Sequence, residues 1–280
     1  MKKGKTFIFG TSGFIGSNLV RHFEHKKNIV KLGRNSGDIN FDLSKSSPNE
    51  LIGRIGLGDT FIFLAGISSP ETCNNDNYNA HTINVTKTIE LIDWLTKHSV
   101  RVIFCSSDAV FGKRGYIAYD QDNLHPHGEY AVMKMLVEKS CADNELVKIA
   151  RFSYVLGGKD KFSEMLIESE LKGNLVKVFK YFDRNVVLLS DVLEGLEALV
   201  DKWTSFSFKA INFSGPKLIS RVELVEAVKM DILPNLNFEV IDAPSDFWAS
   251  RAKSIATDCT NFSIILGREP RGLSFLREVW

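Results

Sequence analysis

Tyr130 and Lys134 stand four residues apart in Tyr130-Ala131-Val132-Met133-Lys134, and upstream of them lies Phe104-Cys105-Ser106-Ser107-Asp108-Ala109-Val110-Phe111-Gly112. On a helix that spacing puts the phenol and the ammonium on one face, a turn apart. An ammonium beside a phenol favours phenolate and lowers an otherwise high pKa. Such a tyrosine passes a proton to or from an alcohol or carbonyl oxygen near neutral pH, and Ser107 can donate a second hydrogen bond to the same oxygen. The partner reaction is hydride transfer, which no side chain supplies and a nicotinamide does. Taken alone, Tyr-x-x-x-Lys also describes many surface helix pairs. A second constellation bears on the choice. Gly10-Thr11-Ser12-Gly13-Phe14-Ile15-Gly16 follows a short apolar run and precedes Ser17-Asn18-Leu19-Val20-Arg21-His22-Phe23. That context reads as strand, tight turn, helix. Glycine there lets the backbone turn sharply and lets a pyrophosphate approach the helix N-terminus, where N–H groups and the dipole favour negative charge. The spacing is one residue longer in its first gap than the common dinucleotide fingerprint, and turns collect glycine for other reasons too.

The elements that must position these groups follow from the apolar pattern. Strand-like runs at Thr6–Phe9, Ile29–Leu32, Thr60–Leu64, Val100–Cys105 and Leu146–Arg151 alternate with helical stretches. Val85–Thr96 carries Val85, Ile89, Ile92 and Leu95 on one stripe, and Ala131–Ala142 is a second, less clean helix. Short continuous apolar strands alternating with helices predict an α/β fold, a doubly wound parallel sheet. Ser107 then falls at a strand's carboxyl end, where open α/β sheets bind ligands. After about residue 155 the rhythm changes. Helices are expected over Phe162–Lys172, Asp191–Asp201 and Val222–Ile232, the last capped by Ser220 with Glu223 completing a capping box and ended by Pro234. Short strands are expected at Val176–Phe179, Val186–Leu189 and Ile211–Phe213. The expected division is residues 1–155 as a dinucleotide-binding core with the catalytic residues, and 156–280 as a smaller substrate-binding lobe that also completes the core.

A chain of 280 residues accommodates that plan, and a net charge of +1 gives no footprint for nucleic acid or a membrane surface. Cys73, Cys105, Cys141 and Cys259 form no Cys-x-x-Cys pair, so free thiols in a reducing cytoplasm are expected. His81, His125 and His127 have no metal-ligand spacing, and no metal is expected. The basic start Met1–Lys5 leads into a first strand rather than a signal peptide.

The order of glycine turn, serine strand end and Tyr-x-x-x-Lys resembles the short-chain dehydrogenase/reductase superfamily. More narrowly it resembles the extended branch, the NAD-dependent epimerase/dehydratase family, which acts on nucleotide sugars. Further matches are Asn84-Val85-Thr86, Arg151-Phe152-Ser153-Tyr154-Val155-Leu156-Gly157 and Asp191-Val192. Asn212-Phe213-Ser214-Gly215-Pro216 with Ile219-Ser220-Arg221 is similar to a segment of dTDP-4-dehydrorhamnose-reductase-like 4-ketoreductases. The resemblance implies a Rossmann fold with catalytic Ser107, Tyr130 and Lys134, the lysine also binding the nicotinamide ribose. It places the glycine turn from Gly10 to Gly16 on the pyrophosphate, Asp42 and Leu43 at the adenine edge, Leu64, Ala65 and Gly66 beneath the dinucleotide, and Cys105 and Ser106 beside the nicotinamide ribose. Asp42 equally reads as a turn residue. Asn84 reads as a helix-bending residue that orders a water or as an N-cap.

The 4,6-dehydratases resembled here carry Thr-Asp-Glu where this chain has Ser107-Asp108-Ala109, and alanine transfers no proton. Dehydration is disfavoured. In Lys31-Leu32-Gly33-Arg34-Asn35-Ser36 no carboxylate closes the second strand, and Arg34 suits a 2′-phosphate. NADP(H) is therefore expected over NAD(H), with a solvated loop role for Arg34 as the alternative. Asp108, Tyr154, Arg184, Arg251 and Arg271 are candidates for the substrate, the arginines for its diphosphate, each against an ordinary core or surface role. The expected activity is NADP-dependent reduction of a nucleotide-linked 4-keto-6-deoxyhexose by a cytoplasmic homodimer. The alternatives are a nucleotide-sugar epimerase with retained NAD and a non-catalytic dinucleotide sensor.

Overall fold

A computed structural model describes residues 4–35 and 37–280. Ser36 and the basic residues 1–3 of the N-terminal reading lie outside the described residues. The first half runs β1 (Thr6–Phe9), α1 (Phe14–Phe23), β2 (Ile29–Gly33), β3 (Ile39–Asn40), β4 (Thr60–Phe63), α2 (Pro70–Asn75), α3 (Asn77–His81), α4 (Thr88–Lys97), β5 (Arg101–Ser107), α5 (Glu129–Ser140) and β6 (Val147–Phe152). The second half runs β7 (Val155–Leu156), α6 (Lys161–Lys172), β8 (Leu175–Phe179), β9 (Asp183–Asn185), β10 (Val187–Leu188), α7 (Leu189–Asp201), β11 (Ala210–Phe213), β12 (Leu218–Ile219), α8 (Arg221–Asp231), β13 (Asn237–Ile241), β14 (Ser254–Ile255) and α9 (Thr260–Leu266).

Among the described residues seven strands form one parallel sheet in the order β11-β6-β5-β4-β1-β2-β3. Side chains alternate across a strand, and here the alternation sorts residue types. Phe7, Phe9, Phe61, Phe63 and Phe104 face one layer, packed with α4 residues Leu91, Ile92 and Leu95. Ile8, Ile62 and Ile103 face the other, packed with Leu19 of α1 and Val192, Leu196 and Leu199 of α7. Phe9 and Phe63 meet edge to face at 5.3 Å. The register pairs Phe9 with Phe63 and Phe63 with Phe104. Gly10, Leu64 and Cys105, the next residue along each of these chains, therefore lie side by side at one carboxyl edge, where β1 and β4 end and β5 runs on to Ser107.

Past β6 the chain builds a third apolar cluster, including Leu166, Val176, Val178, Leu224, Val225 and Val228. Beside it lie two small sheets, β13-β8 and β12-β9-β14. β11 returns to the main sheet beside β6. Ser220 and Glu223 form the expected capping box on α8. The stretch predicted as a continuous helix over Val85–Thr96 differs. A π-helical turn at Thr82–Lys87 precedes α4, with Asn84 inside it, so Asn84 is not an N-cap. No helix of the described residues is long and apolar enough to cross a membrane.

Candidate active site

Three recesses open along that carboxyl edge. The first, of about 220 Å³, is walled by Gly10, Ser12 and Gly13, by Arg34, Asp42, Leu43 and Ser44, and by Leu64–Ile67. The second, of about 320 Å³, shares Gly10, Gly13 and Leu64–Ile67 with it and adds Phe14, Ile15, Gly16, Cys105, Ser106, Tyr130 and Lys134. The third, of about 230 Å³, is lined by Ser107, Asp108, Ala109, Tyr130, Tyr154, Arg184 and Arg251, among others. Tyr130 lines both the second and the third.

The glycine turn is shaped by close backbone approach. Gly10 has φ +103°, and a Cβ there would lie 2.8 Å from the Ala65 nitrogen. At Gly16 a Cβ would lie 2.2 Å from the Gly10 oxygen. At Gly13 the nearest atom would be 3.4 Å away, which is ordinary contact. Gly13 is the N-cap of α1 and brings no side chain to its first N–H groups, which remain available to an acceptor. Thr11 lines neither wall: its hydroxyl donates to the Leu32 carbonyl at 3.4 Å, tying the turn to β2.

Arg34 is exposed on the wall of the first recess. Asp42 is a turn residue on the wall of that recess. Its Oδ1 accepts from the Ser44 nitrogen at 2.9 Å and the Ser44 hydroxyl at 2.7 Å. The Ser44 hydrogen bonds, with smaller help from Lys45 and Arg34, hold its carboxyl below the usual range. Asn84 clasps the segment beneath: its Oδ1 accepts from the Ile67 nitrogen at 2.8 Å and its Nδ2 donates to the Ile67 carbonyl at 2.9 Å.

Around Tyr130 the charge balance differs from the sequence expectation. Tyr130 and Lys134 each keep some surface on the recess, yet protein closely surrounds both. Burial is the main cause that pushes the Tyr130 phenol above its usual range, and Asp108 adds to it; a hydrogen bond with Ser107 only partly offsets the rise. Lys134 is itself brought down to about 8, chiefly by burial. The ammonium does not make the phenol acidic here, because desolvation disfavours both charged forms at once. Lys134 donates to the Cys105 carbonyl at 2.8 Å. The Ser107 hydroxyl donates to Asp108 at 3.2 Å and accepts from the Ala109 nitrogen at 3.2 Å.

The substrate candidates separate. Asp108 is buried, accepts from the Ser153 hydroxyl at 2.9 Å, and has its carboxyl raised by burial despite Arg184 nearby. Arg184 lines the third recess but is committed elsewhere. It donates to the Asp183 carbonyl at 2.6 Å and the Ala252 carbonyl at 2.9 Å, with its Nε 3.8 Å from Asp108. Tyr154 donates to Asp160 at 2.8 Å. Arg251 pairs with the exposed Glu71, donates to the Ser250 hydroxyl at 3.2 Å and lies 4.5 Å over the Phe247 ring. Arg271 lies outside all three recesses, in an ion cluster with Asp191 and Glu194 at 2.6 and 3.0 Å. Sequence reasoning missed Ser153, His127, Phe182 and Ser250 on the third recess. It also missed the buried pair of Glu138 and Arg151 behind Ser106. Glu138 was signalled by its position one further turn along the Tyr130–Lys134 face.

A doubly wound parallel sheet with a glycine turn and a Ser-Tyr-Lys set at one carboxyl edge defines the extended short-chain dehydrogenase/reductase class. A profile of the NAD dependent epimerase/dehydratase family matches residues 6–169, more than half of the chain, and the protein belongs to that family. It is 23% identical over 290 residues to the uncharacterized UDP-glucose epimerase YtcB of Bacillus subtilis (strain 168), covering 89% of this chain and 90% of that one. Its fold is similar to that of MoeE5 in complex with UDP-glucuronic acid and NAD, with a TM-score of 0.82, 22% identity, and coverage of 99% and 97%. It is equally similar to a hypothetical dTDP-4-dehydrorhamnose reductase from Sulfolobus tokodaii, with a TM-score of 0.82, 20% identity, and coverage of 96% and 98%.

Proposed function

We propose that the protein reduces a nucleotide-linked 4-keto-6-deoxyhexose to the 4-hydroxy sugar, with NADPH as the preferred reductant. The observation that carries this reading is Tyr130, which lines both the recess continuous with the glycine turn and the recess of Ser107, Asp108 and Arg251. The close approach at Gly10 and Gly16 and the bare N-cap at Gly13 fit a pyrophosphate. Residues 1–155 hold the dinucleotide and the catalytic set and line much of the third recess; residues 156–280 complete its wall with Phe182, Arg184, Ser250, Arg251, Ala252 and Ile255.

A bound nicotinamide supplies the hydride. Tyr130, which burial keeps protonated, gives its proton to the oxygen that forms at the former carbonyl. Ser107 holds that oxygen. Lys134 binds the ribose hydroxyls, and its midpoint near 8 suits it to return the proton. Ala109 lines the same recess and brings no acid there, which supports reduction over loss of water. Arg34, beside a strand end without a carboxylate, supports a 2′-phosphate.

The test is NADPH oxidation with a panel of dTDP-, GDP-, UDP- and CDP-linked 4-keto sugars, with product stereochemistry read by NMR. Tyr130→Phe is expected to lose on the order of 10²-fold or more in turnover and to keep dinucleotide affinity. Full turnover in that variant removes the role, and equal affinity for NADP and NAD removes the cofactor preference. A second reading is an epimerase with retained NAD, favoured by the curated relative's name and by the NAD in the MoeE5 structure. Purified protein that holds NAD and converts a sugar without added NADPH selects it. A homodimer belongs to the same proposal, and sedimentation as a monomer rejects it.

A further inference from the structure

Behind the catalytic face lies a buried ion pair to which the reading above gives no task. Tyr130, Lys134 and Glu138 recur every fourth residue and so share one face of α5. Glu138 is 3% exposed. Its Oε1 accepts from the Ser106 hydroxyl at 2.5 Å, and its Oε2 accepts from Arg151 Nε at 3.0 Å and Nη2 at 2.8 Å. Ser106 and Arg151 are register partners on β5 and β6, so one carboxylate spans two neighbouring strands near their carboxyl ends. Arg151 Nη1 continues to the Asp120 carbonyl at 2.7 Å.

We propose that Glu138 is a positioning residue for the Tyr130–Lys134 pair, clamped by Ser106 and Arg151 so that it seats the catalytic face of α5 on the end of β5 and sets the charge that Lys134 faces. The inference rests on the roles given above to Tyr130 and Lys134. Two bonds at consecutive residues join the helix to the strand: Lys134 to the Cys105 carbonyl at 2.8 Å, and Ser106 to Glu138. Ser107 follows at once, so these bonds set its distance from Tyr130. Cys105, Ser106 and Lys134 line the recess beside the glycine turn, so the clamp reaches the proposed dinucleotide site directly.

The charge argument is independent of the clamp. Lys134 faces Cys105 from β5, Cys73 from α2, and Tyr130 and Glu138 from its own helix. Burial raises both thiols, Cys105 up to about 12, and raises the phenol, so these three stay neutral. Asp108 faces Tyr130, and Arg151 faces Glu138. Glu138 thus brings the carboxylate that favours the charged form of Lys134. A buried ion pair is often replaceable by apolar residues without loss of stability, so packing alone does not explain this one.

The charge is read by NMR titration of protein carrying ¹³C at the lysine Cε, with the Lys134 signal assigned by its loss in Lys134→Arg. Lys134 is expected to titrate near 8, and Glu138→Gln, which keeps the shape and removes the charge, is expected to lower that midpoint by about one unit. An unmoved midpoint, or a wild-type Lys134 that titrates as an ordinary lysine, overturns the proposal. The clamp is read by Ser106→Ala, which removes one hydroxyl and keeps the test open if Glu138→Gln does not fold. It is expected to weaken NADP⁺ binding several-fold while leaving the Lys134 midpoint in place, and unchanged NADP⁺ affinity overturns the clamp. Neither readout uses a sugar, so failure of the substrate assignment leaves both outcomes interpretable.

Discussion

At the scale of single residues, the site is governed by desolvation. The spacing of Tyr130 and Lys134 suggests a phenol acidified by its neighbour, whereas burial pushes the phenol up and the lysine down to about 8. A phenol that keeps its proton is a donor, which matches ketone reduction better than alcohol oxidation. The lysine shift is also a statement about stability. Lys134 has its usual value of 10.5 when unfolded and about 8 when folded, so below pH 8 the folded state pays for a buried charge. As pH rises from about 8 to 10.5 the folded state sheds its proton first and that cost is relieved. Lys134→Met carries no such cost. Its stability relative to wild type should therefore fall by about 3 kcal/mol between pH 7 and 10.5, measured by denaturant unfolding at both values. A difference that does not change with pH would show that Lys134 keeps an ordinary lysine pKa.

At the scale of elements, the turn after β1 separates two uses of glycine. Gly16 must lack a Cβ for the fold itself, since one would press to 2.2 Å on the Gly10 carbonyl. Gly13 has ordinary room, 3.4 Å, and its bareness matters to what approaches α1. Gly16→Ala should cost about 1–3 kcal/mol in a melting experiment. Gly13→Ala should stay within about 0.5 kcal/mol of wild type yet weaken NADP⁺ binding severalfold. Equal stability losses in the two would refute that separation. The same element was legible in the sequence because its glycines stand between an apolar strand-like run and a helical stretch, the context that a phosphate-binding turn requires. The sheet was legible for a related reason: Thr6–Phe9 and Thr60–Phe63 are apolar on both faces, as strands covered by helices must be. The π-helical turn at Thr82–Lys87 was only partly legible: Asn84 reads from the sequence as a helix-bending residue or as an N-cap, and its grip on the Ile67 backbone, seventeen residues away in sequence, is visible only in the fold. The commitment of Arg184 to the Asp183 and Ala252 carbonyls was hidden in the same way, since nothing local distinguishes a bound arginine from a free one.

At the scale of the whole molecule, the third recess lies where segments from distant parts of the chain meet. Pro70 comes from α2, and Ser250 and Arg251 come from near the end of the chain. Between these segments Arg251 pairs with Glu71, whose side chain is 60% exposed. An ion pair so open to water contributes about 0–1 kcal/mol, so it is a poor explanation of how the two segments stay together. It has a clearer consequence for binding. Arg251 is 16% exposed, is held over Phe247, donates to the Ser250 hydroxyl at 3.2 Å, and is the recess arginine that pairs with an exposed carboxylate rather than with backbone carbonyls. On the proposed function, an anionic sugar nucleotide competes with Glu71 for it. Glu71→Gln should therefore leave unfolding within about 1 kcal/mol of wild type and tighten substrate binding by about threefold, while Arg251→Ala weakens it by roughly tenfold or more. Calorimetric titration of the sugar nucleotide into dinucleotide-loaded protein reads both. If Glu71→Gln instead weakens binding as far as Arg251→Ala does, Glu71 orients the guanidinium toward the substrate, and the pair is a fixed part of the wall rather than a competitor.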